Sequence, residues 1–207
     1  MRSRSHTLIL GLSAASALAY LLVPPPLSIL CKGLSITLLA CIAFASAHRL
    51  LALALLLSSC GDILLACGNA YFLGGLALFL CAHLVYLALF LRCRGALRTP
   101  ALLVFLLLYG LVFGAWLAPS LGPLRVPVFC YIAAILAMAA AASQAAYPTR
   151  WVLLGALLFL VSDSLLGAGR FKSPLPLGGV LVWTTYYAAQ CAIALGVLAE
   201  PHPVLRS

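Results

Sequence analysis

The chain has 207 residues, of which 66% are hydrophobic and only 7% charged. Its 12 Lys and Arg face 3 acids, Asp62, Asp163 and Glu200, for a formal charge of +9. A soluble domain needs about 25% charged residues to cover its surface, and a disordered chain combines few apolar residues with high charge, so both classes are excluded. The composition predicts an all-α polytopic membrane protein. Nucleic acid is excluded as a partner, because the basic residues flank apolar runs and form no recognition motif or basic helix.

A membrane-crossing helix needs about 20 apolar residues. Eight runs meet that length: 7–23, 27–47, 49–67, 72–91, 100–118, 126–146, 150–168 and 177–199. They predict eight transmembrane helices in a single integral membrane domain over 1–207. The first run also resembles a signal peptide, with Arg2 and Arg4 ahead of it and Ala17-Leu18-Ala19 near its end. Its apolar part is longer than a signal core and a helical hairpin follows at once, so it is expected to be retained. The breaks are short: Pro24-Pro25-Pro26, His48-Arg49, Gly68-Asn69, Arg92 to Pro100, Pro119 to Pro123, Tyr147-Pro148, and Arg170 to Pro176. One side of the membrane collects Arg2, Arg4, Arg49, Arg92, Arg94, Arg98, Arg150 and Arg206. The other collects Arg125, Arg170 and Lys172. The positive-inside rule then puts both termini in the cytoplasm. The 8 cysteines contain no C-x-x-C and are expected to act as small apolar residues, without a disulfide framework or a zinc site.

Charged groups within a span are costly and usually functional. Asp62 lies thirteen residues beyond Arg49 (62 − 49), and Asp163 thirteen beyond Arg150 (163 − 150). At 1.5 Å per residue both carboxyls sit ~20 Å from the cytoplasmic face, in the outer half of the bilayer. Lys32 enters the second helix from the outer side and falls in the same layer. An internal echo supports the match. Asp62 to Gly68 and Asp163 to Gly169 both read D-x-L-L-x-x-G, and Gly74-Gly75 corresponds to Gly178-Gly179. His83 then corresponds to Tyr187 and Tyr86 to Gln190. An offset of four helices predicts a 4+4 parallel pseudo-repeat about an axis along the membrane normal, with the two Asp facing each other across it.

His83, Tyr86, Tyr186, Tyr187 and Gln190 fall near the middle of the fourth and eighth helices. His83 and Tyr86 are i, i+3, and Tyr186 and Gln190 are i, i+4, so each pair shares a face. Together they are expected to line a polar cleft below the Asp layer, with Arg170 and Lys172 at its outer mouth. The plainer reading makes Lys32 the partner of a structural ion pair and His83, the tyrosines and Gln190 interhelical hydrogen-bonding residues. Glu200 reads as a solvated terminus.

The candidate chemistries thin quickly. A metal hydrolase needs three or four clustered ligands, and a serine hydrolase a G-x-S-x-G elbow. A P-loop is absent. Intramembrane aspartyl proteases use G-x-G-D, whereas this chain reads Ser59-Cys60-Gly61-Asp62. A carboxyl pair remains, one member protonated beside a carboxylate, which suits acid catalysis through an oxocarbenium-like cation. The alternative is a proton-coupled lipid or small-molecule transporter using an Asp/Lys relay.

Gly61-Asp62, Phe79 to Phe90 (FLCAHLVYLALF), Gly155 to Leu166 (GALLFLVSDSLL) and Phe171 to Gln190, ending in TTYYAAQ, resemble the lysoplasmalogenase (YhhN-like) family, most closely the vertebrate membrane lysoplasmalogenases. The resemblance implies a hydrolase of lysoplasmalogens, the 1-alkenyl-glycerophosphoethanolamines and -cholines, giving a fatty aldehyde and the glycerophospho-base, with no metal or cofactor. The carboxyl-pair chemistry, set beside that expectation, assigns catalysis to Asp62 and Asp163. Substrate binding falls to Lys32, Asn69, His83, Tyr86, Arg170, Lys172, Tyr186, Tyr187 and Gln190, with Lys32, Arg170 or Lys172 on the phosphate. The expected setting is the endoplasmic reticulum membrane. The expected partners are a lysophospholipid substrate and membrane lipid, and assembly into a homo-oligomer is compatible with this reading.

Overall fold

The computed structural model describes residues 4–93, 95 and 99–200. Eight long helices follow one another: α1 Arg4–Leu22, α2 Leu27–Ala45, α3 Arg49–Ala66, α4 Phe72–Arg92, α5 Pro100–Leu117, α6 Arg125–Gln144, α7 Trp151–Phe171 and α8 Gly178–Leu198. All eight are long and apolar enough to cross a membrane. Short 3-10 turns cover Asn69–Tyr71, Ala118–Ser120 and Gly122–Leu124. Of the arginines used to orient the chain, Arg2, Arg94, Arg98 and Arg206 lie outside the described residues.

Most ends fall within two residues of the sequence expectation, and the departures have local causes. Helix α2 stops at Ala45 because Ala47 takes a left-handed turn, φ 61°, which terminates helical geometry. Helix α6 stops at Gln144 because its next residues pair with the α4–α5 connection. There the Gly95 N–H donates to the Gln144 carbonyl at 2.9 Å and the Ala146 N–H to the Cys93 carbonyl at 2.7 Å. Helix α7 runs on through Arg170 to Phe171, since Pro174 is the first residue that must stop it and a cation suits a helix C-terminus. Helix α3 ends at Ala66, two residues before Gly68, whose φ of 110° admits glycine most readily. Glu200 departs from expectation: half-buried at the end of α8, it accepts a hydrogen bond from the Cys93 thiol at 3.6 Å.

The packing places α3, α4, α7 and α8 at the centre. Helix α2 covers α3 and α8, α6 covers α4 and α7, α1 lies outside α2, and α5 outside α6. A two-fold axis exchanging the first four helices with the last four would pair these contacts in the same way, in agreement with the D-x-L-L-x-x-G echo. Glycines bring the central pairs together. A Cβ on Gly155 would lie 2.7 Å from the Ala189 carbonyl oxygen, and one on Gly75 3.3 Å from the Gly61 carbonyl oxygen. Small residues let membrane helices approach in this way where water cannot drive them together. The outer surface is the inverse of a soluble protein: Leu107, Leu111 and Val112 on α5 and Leu8 and Leu22 on α1 are exposed.

Candidate active site

Between the two central helix pairs lies a cavity of about 430 Å³. Its mouth is at the end where α3 and α7 finish and α4 and α8 begin, marked by Arg170, Gly178 and Gly179. Its floor carries Lys32, Asp62, Tyr131, Asp163, Trp183 and Tyr186. The depth arithmetic placed the two acids in one layer, and they line this one cavity.

Their surroundings differ. Asp62 on α3 is 2% exposed. The Lys32 ammonium on α2 reaches its Oδ1 at 3.2 Å, and the Tyr186 hydroxyl on α8 donates to its Oδ2 at 2.6 Å. The ammonium also faces the rings of Tyr20 and Trp183, each centroid 5.5 Å away. Aromatic faces and a carboxylate together hold a desolvated cation in place. Asp163 on α7 receives a hydrogen bond from the Tyr131 hydroxyl on α6 at 2.6 Å. Its basic neighbour is the His83 ring on α4, with Nε2 3.7 Å from Oδ2. That imidazole is fully buried, edge-on to Tyr131 and Phe159, and neither ring nitrogen makes a hydrogen bond.

Beneath the floor a hydrogen-bonded chain supports Tyr186. The Gln190 amide donates to the Tyr186 hydroxyl at 3.1 Å, and the Tyr86 hydroxyl donates to Gln190 Oε1 at 2.6 Å. Both residues are fully buried and neither reaches the cavity wall. They meet each other across the pseudo-axis, as corresponding positions of a repeat should.

Of the residues singled out in the sequence, Lys32, Asp62, Asp163, Arg170 and Tyr186 come together on the cavity wall. The others lie off it. His83 stands behind Asp163, and Tyr187 turns toward α1, where its hydroxyl is 2.8 Å from Ser13 Oγ. Asn69 accepts a hydrogen bond from the exposed Arg170 guanidinium at 2.7 Å, which also lies over the Phe72 ring at 4.6 Å. Lys172, just past the end of α7, sits over the Trp116 ring of α5 at 5.2 Å. The expected cleft of His83, Tyr86, Tyr187 and Gln190 is therefore a packed layer, closed because Phe79, Phe159 and Tyr186 fill the space above it.

Tyr20, Tyr131 and Trp183 were not anticipated. Tyr131 had a usable signal. In the four-helix repeat it falls within two residues of the position corresponding to Lys32 (32 + 101 = 133, where 101 is 163 − 62).

Eight membrane-crossing helices around a cavity floored by an acid pair define a polytopic helical membrane protein. The chain belongs to the YhhN family, whose model matches residues 27–197. A lysoplasmalogenase of Mycobacterium bovis is 38% identical over 157 residues, 72% of this chain and 60% of that protein. Lysoplasmalogenase TMEM86A of Bos taurus is 36% identical over 160 residues, 72% of this chain and 65% of that protein. Lysoplasmalogenase TMEM86A of Homo sapiens is 35% identical over 173 residues, 79% of this chain and 70% of that protein. Bacterial and vertebrate relatives thus match at similar identity, and the chain spans about three fifths of the mycobacterial relative's length, 60%. No solved structure matches the chain.

Proposed function

We propose that the chain is a lysoplasmalogenase, an ether hydrolase that cleaves the vinyl ether bond of 1-alkenyl-glycerophosphoethanolamine or -choline to a fatty aldehyde and the glycerophospho-base. The observation that carries this is the inequality of the two acids in one cavity. Lys32 compensates a charge on Asp62, whereas Asp163 has no Lys or Arg within ion-pair distance among the described residues. A half-buried carboxylate with no Lys or Arg to offset its charge is costly, so Asp163 holds the proton and Asp62 the charge. One general acid beside one carboxylate is what vinyl ether hydrolysis needs.

The steps balance. Asp163 gives its proton to the alkenyl carbon once removed from the ether oxygen, and the π pair forms the new C–H bond. The adjacent carbon becomes an oxocarbenium ion, which the Asp62 carboxylate stabilises. Asp62 takes a proton from water as that water bonds to the cationic carbon, giving a hemiacetal. The C–O bond to glycerol then breaks. Asp62 passes its proton to the departing glycerol oxygen, and the hemiacetal hydroxyl returns one to Asp163. The sum is one water consumed, one aldehyde and one alcohol formed. Tyr131 and Tyr186 hold the two carboxyls in position throughout. Arg170 at the mouth, with Lys32 within, supplies positive charge for the substrate phosphate.

The substrate is a lysophospholipid drawn from membrane lipid, and the chain works as a single membrane domain over 1–207. The setting is the endoplasmic reticulum membrane with both termini cytoplasmic. Arg4, Arg49, Arg92 and Arg150 at the end opposite the cavity mouth support that orientation.

Purified protein in detergent should release aldehyde from lysoplasmenylethanolamine with no gradient imposed. In deuterated water the aldehyde should carry one solvent deuterium on the carbon next to its carbonyl. Gradient-driven uptake into vesicles without aldehyde would instead make the chain a carrier and end this reading.

A further inference from the structure

A second, narrower space adjoins the cavity. It is a slot of about 60 Å³ between α4, α5, α6 and α7. Asp163 lines both spaces, together with Tyr131 and Arg170. Asp62 and Lys32 face only the larger one. The slot wall is otherwise apolar, formed by Phe113 and Leu117 on α5, Val128 and Ile132 on α6 and Gly167 on α7. Its remaining polar groups are turned onto one another. The Tyr109 hydroxyl donates to Ser164 Oγ at 2.5 Å, and Ser164 Oγ donates to the Leu160 carbonyl at 2.6 Å. Nothing but Asp163, Tyr131 and Arg170 is left to bind a polar ligand. Tyr109, Phe113, Gly167 and Phe171 are half-exposed along one edge, so the slot opens sideways at the lipid-facing surface.

A cavity with cationic groups and a carboxylate therefore joins an apolar slot at a single acid. Only an amphiphile with a charged head and one thin hydrocarbon tail matches both. We propose that this slot is the chain-binding subsite and lateral port for the substrate's single alkenyl tail, an inference that rests on the lysophospholipid reading of the cavity. The slot holds the first few methylenes, and the rest of the tail runs out along α5 into the bilayer. The occupancy sets register more than affinity, because the tail leaves one apolar medium for another. With the head in the cavity and the tail in the slot, the double bond lies at their junction. That is where Asp163 stands, and it puts the chain-side carbon nearest the proton donor and the ether side toward Asp62.

The test uses a saturated 1-O-alkyl lysophosphoethanolamine with a diazirine in the alkyl chain near the ether. It has no double bond to protonate, so it binds without turnover. Irradiated with the full chain in phosphatidylcholine nanodiscs, it should leave adducts on the α5 and α6 walls, at Phe113 or Ile132. A Cβ on Gly167 would meet Leu117 and Phe113 at ordinary distances of 3.6 and 3.7 Å. Gly167→Ala should therefore keep the adducts. Gly167→Phe, which fills the slot, should lower their yield about tenfold, the scale of overpacking a filled site. Asp163→Asn should leave them in place. Adducts on Tyr20 or Trp183 in the wild-type chain, or an unchanged yield in a folded Gly167→Phe protein, overturn the proposal. The wild-type map decides the matter even if Gly167→Phe fails to fold. Slot adducts without aldehyde release from the alkenyl substrate would keep the subsite and refute the hydrolase. Aldehyde release with adducts elsewhere would do the reverse.

Discussion

The two halves of the bundle set the same residue at the same depth and give it different company. Asp62 has a cation from the flanking helix α2 and a phenol from α8. Asp163 has a phenol from the flanking helix α6 and, 3.7 Å away, a buried imidazole from α4. The positions nearly correspond, α2 with α6 and α8 with α4, but the chemistry does not. A scaffold with near two-fold symmetry yields two unlike acids once one flanking position carries Lys and its counterpart Tyr. The asymmetry of the two surroundings then resides in a few side chains and not in the backbone.

Removing the acids tests the comparison most severely. Asp163→Asn and Asp62→Asn should each lower aldehyde release about a thousandfold, the scale of a lost general acid or base. Near wild-type release from both folded variants would mean the pair is not catalytic. Tyr131→Lys makes the Asp163 half imitate the Asp62 half. With a cation at each carboxyl neither need keep a proton, and release should fall about a hundredfold while circular dichroism stays unchanged. An active Tyr131→Lys enzyme would show that the inequality does not matter. Lys32→Met erases the cation instead. Removing one member of a fully buried pair costs about 3–5 kcal/mol. Lys32, at 15% side-chain exposure, should cost nearer 2 kcal/mol, seen as a lower melting temperature. Adding Asp62→Asn to the same chain should recover most of it, and failure to recover would deny the pairing. The smallest change is Tyr86→Phe, which removes the donor to Gln190. It should destabilise by about 1 kcal/mol and change release by less than a factor of about three, since Tyr186 keeps its own bond to Asp62.

The parts of this comparison were unequally legible in the sequence. Asp62, Asp163 and Lys32 could be set in one layer because a helix has a fixed rise and each lies a countable distance from a break. Tyr86 could be recognised as a neighbour of His83 on its helix, and Gln190 as a neighbour of Tyr186. That they pack beneath the floor depends on how deeply Phe79 and Phe159 fill the centre, and aromatic packing has no linear signature. Tyr131 was hidden by a two-residue difference between the α2–α3 and α6–α7 segments, which throws a register count off the matching face. The α7 terminus was set too early because the stretch from Arg170 to Pro176 reads as a break, although Pro174 is its first residue that a helix cannot carry. Trp183 and Tyr20 serve a cation on another helix, and only the assembled bundle reveals that service.

The glycine contacts have a mechanical consequence. Gly61 and Gly75 clamp α3 to α4, and Gly155 clamps α7 to α8, with backbone nearly touching backbone. Among the described residues no glycine makes such a seam between the two clamped pairs, where side chains and the cavity lie. The molecule is therefore stiffest within each pair and most compliant along the line that separates Asp62 from Asp163. A small displacement of one pair against the other would change the spacing of the acids without any helix having to unwind.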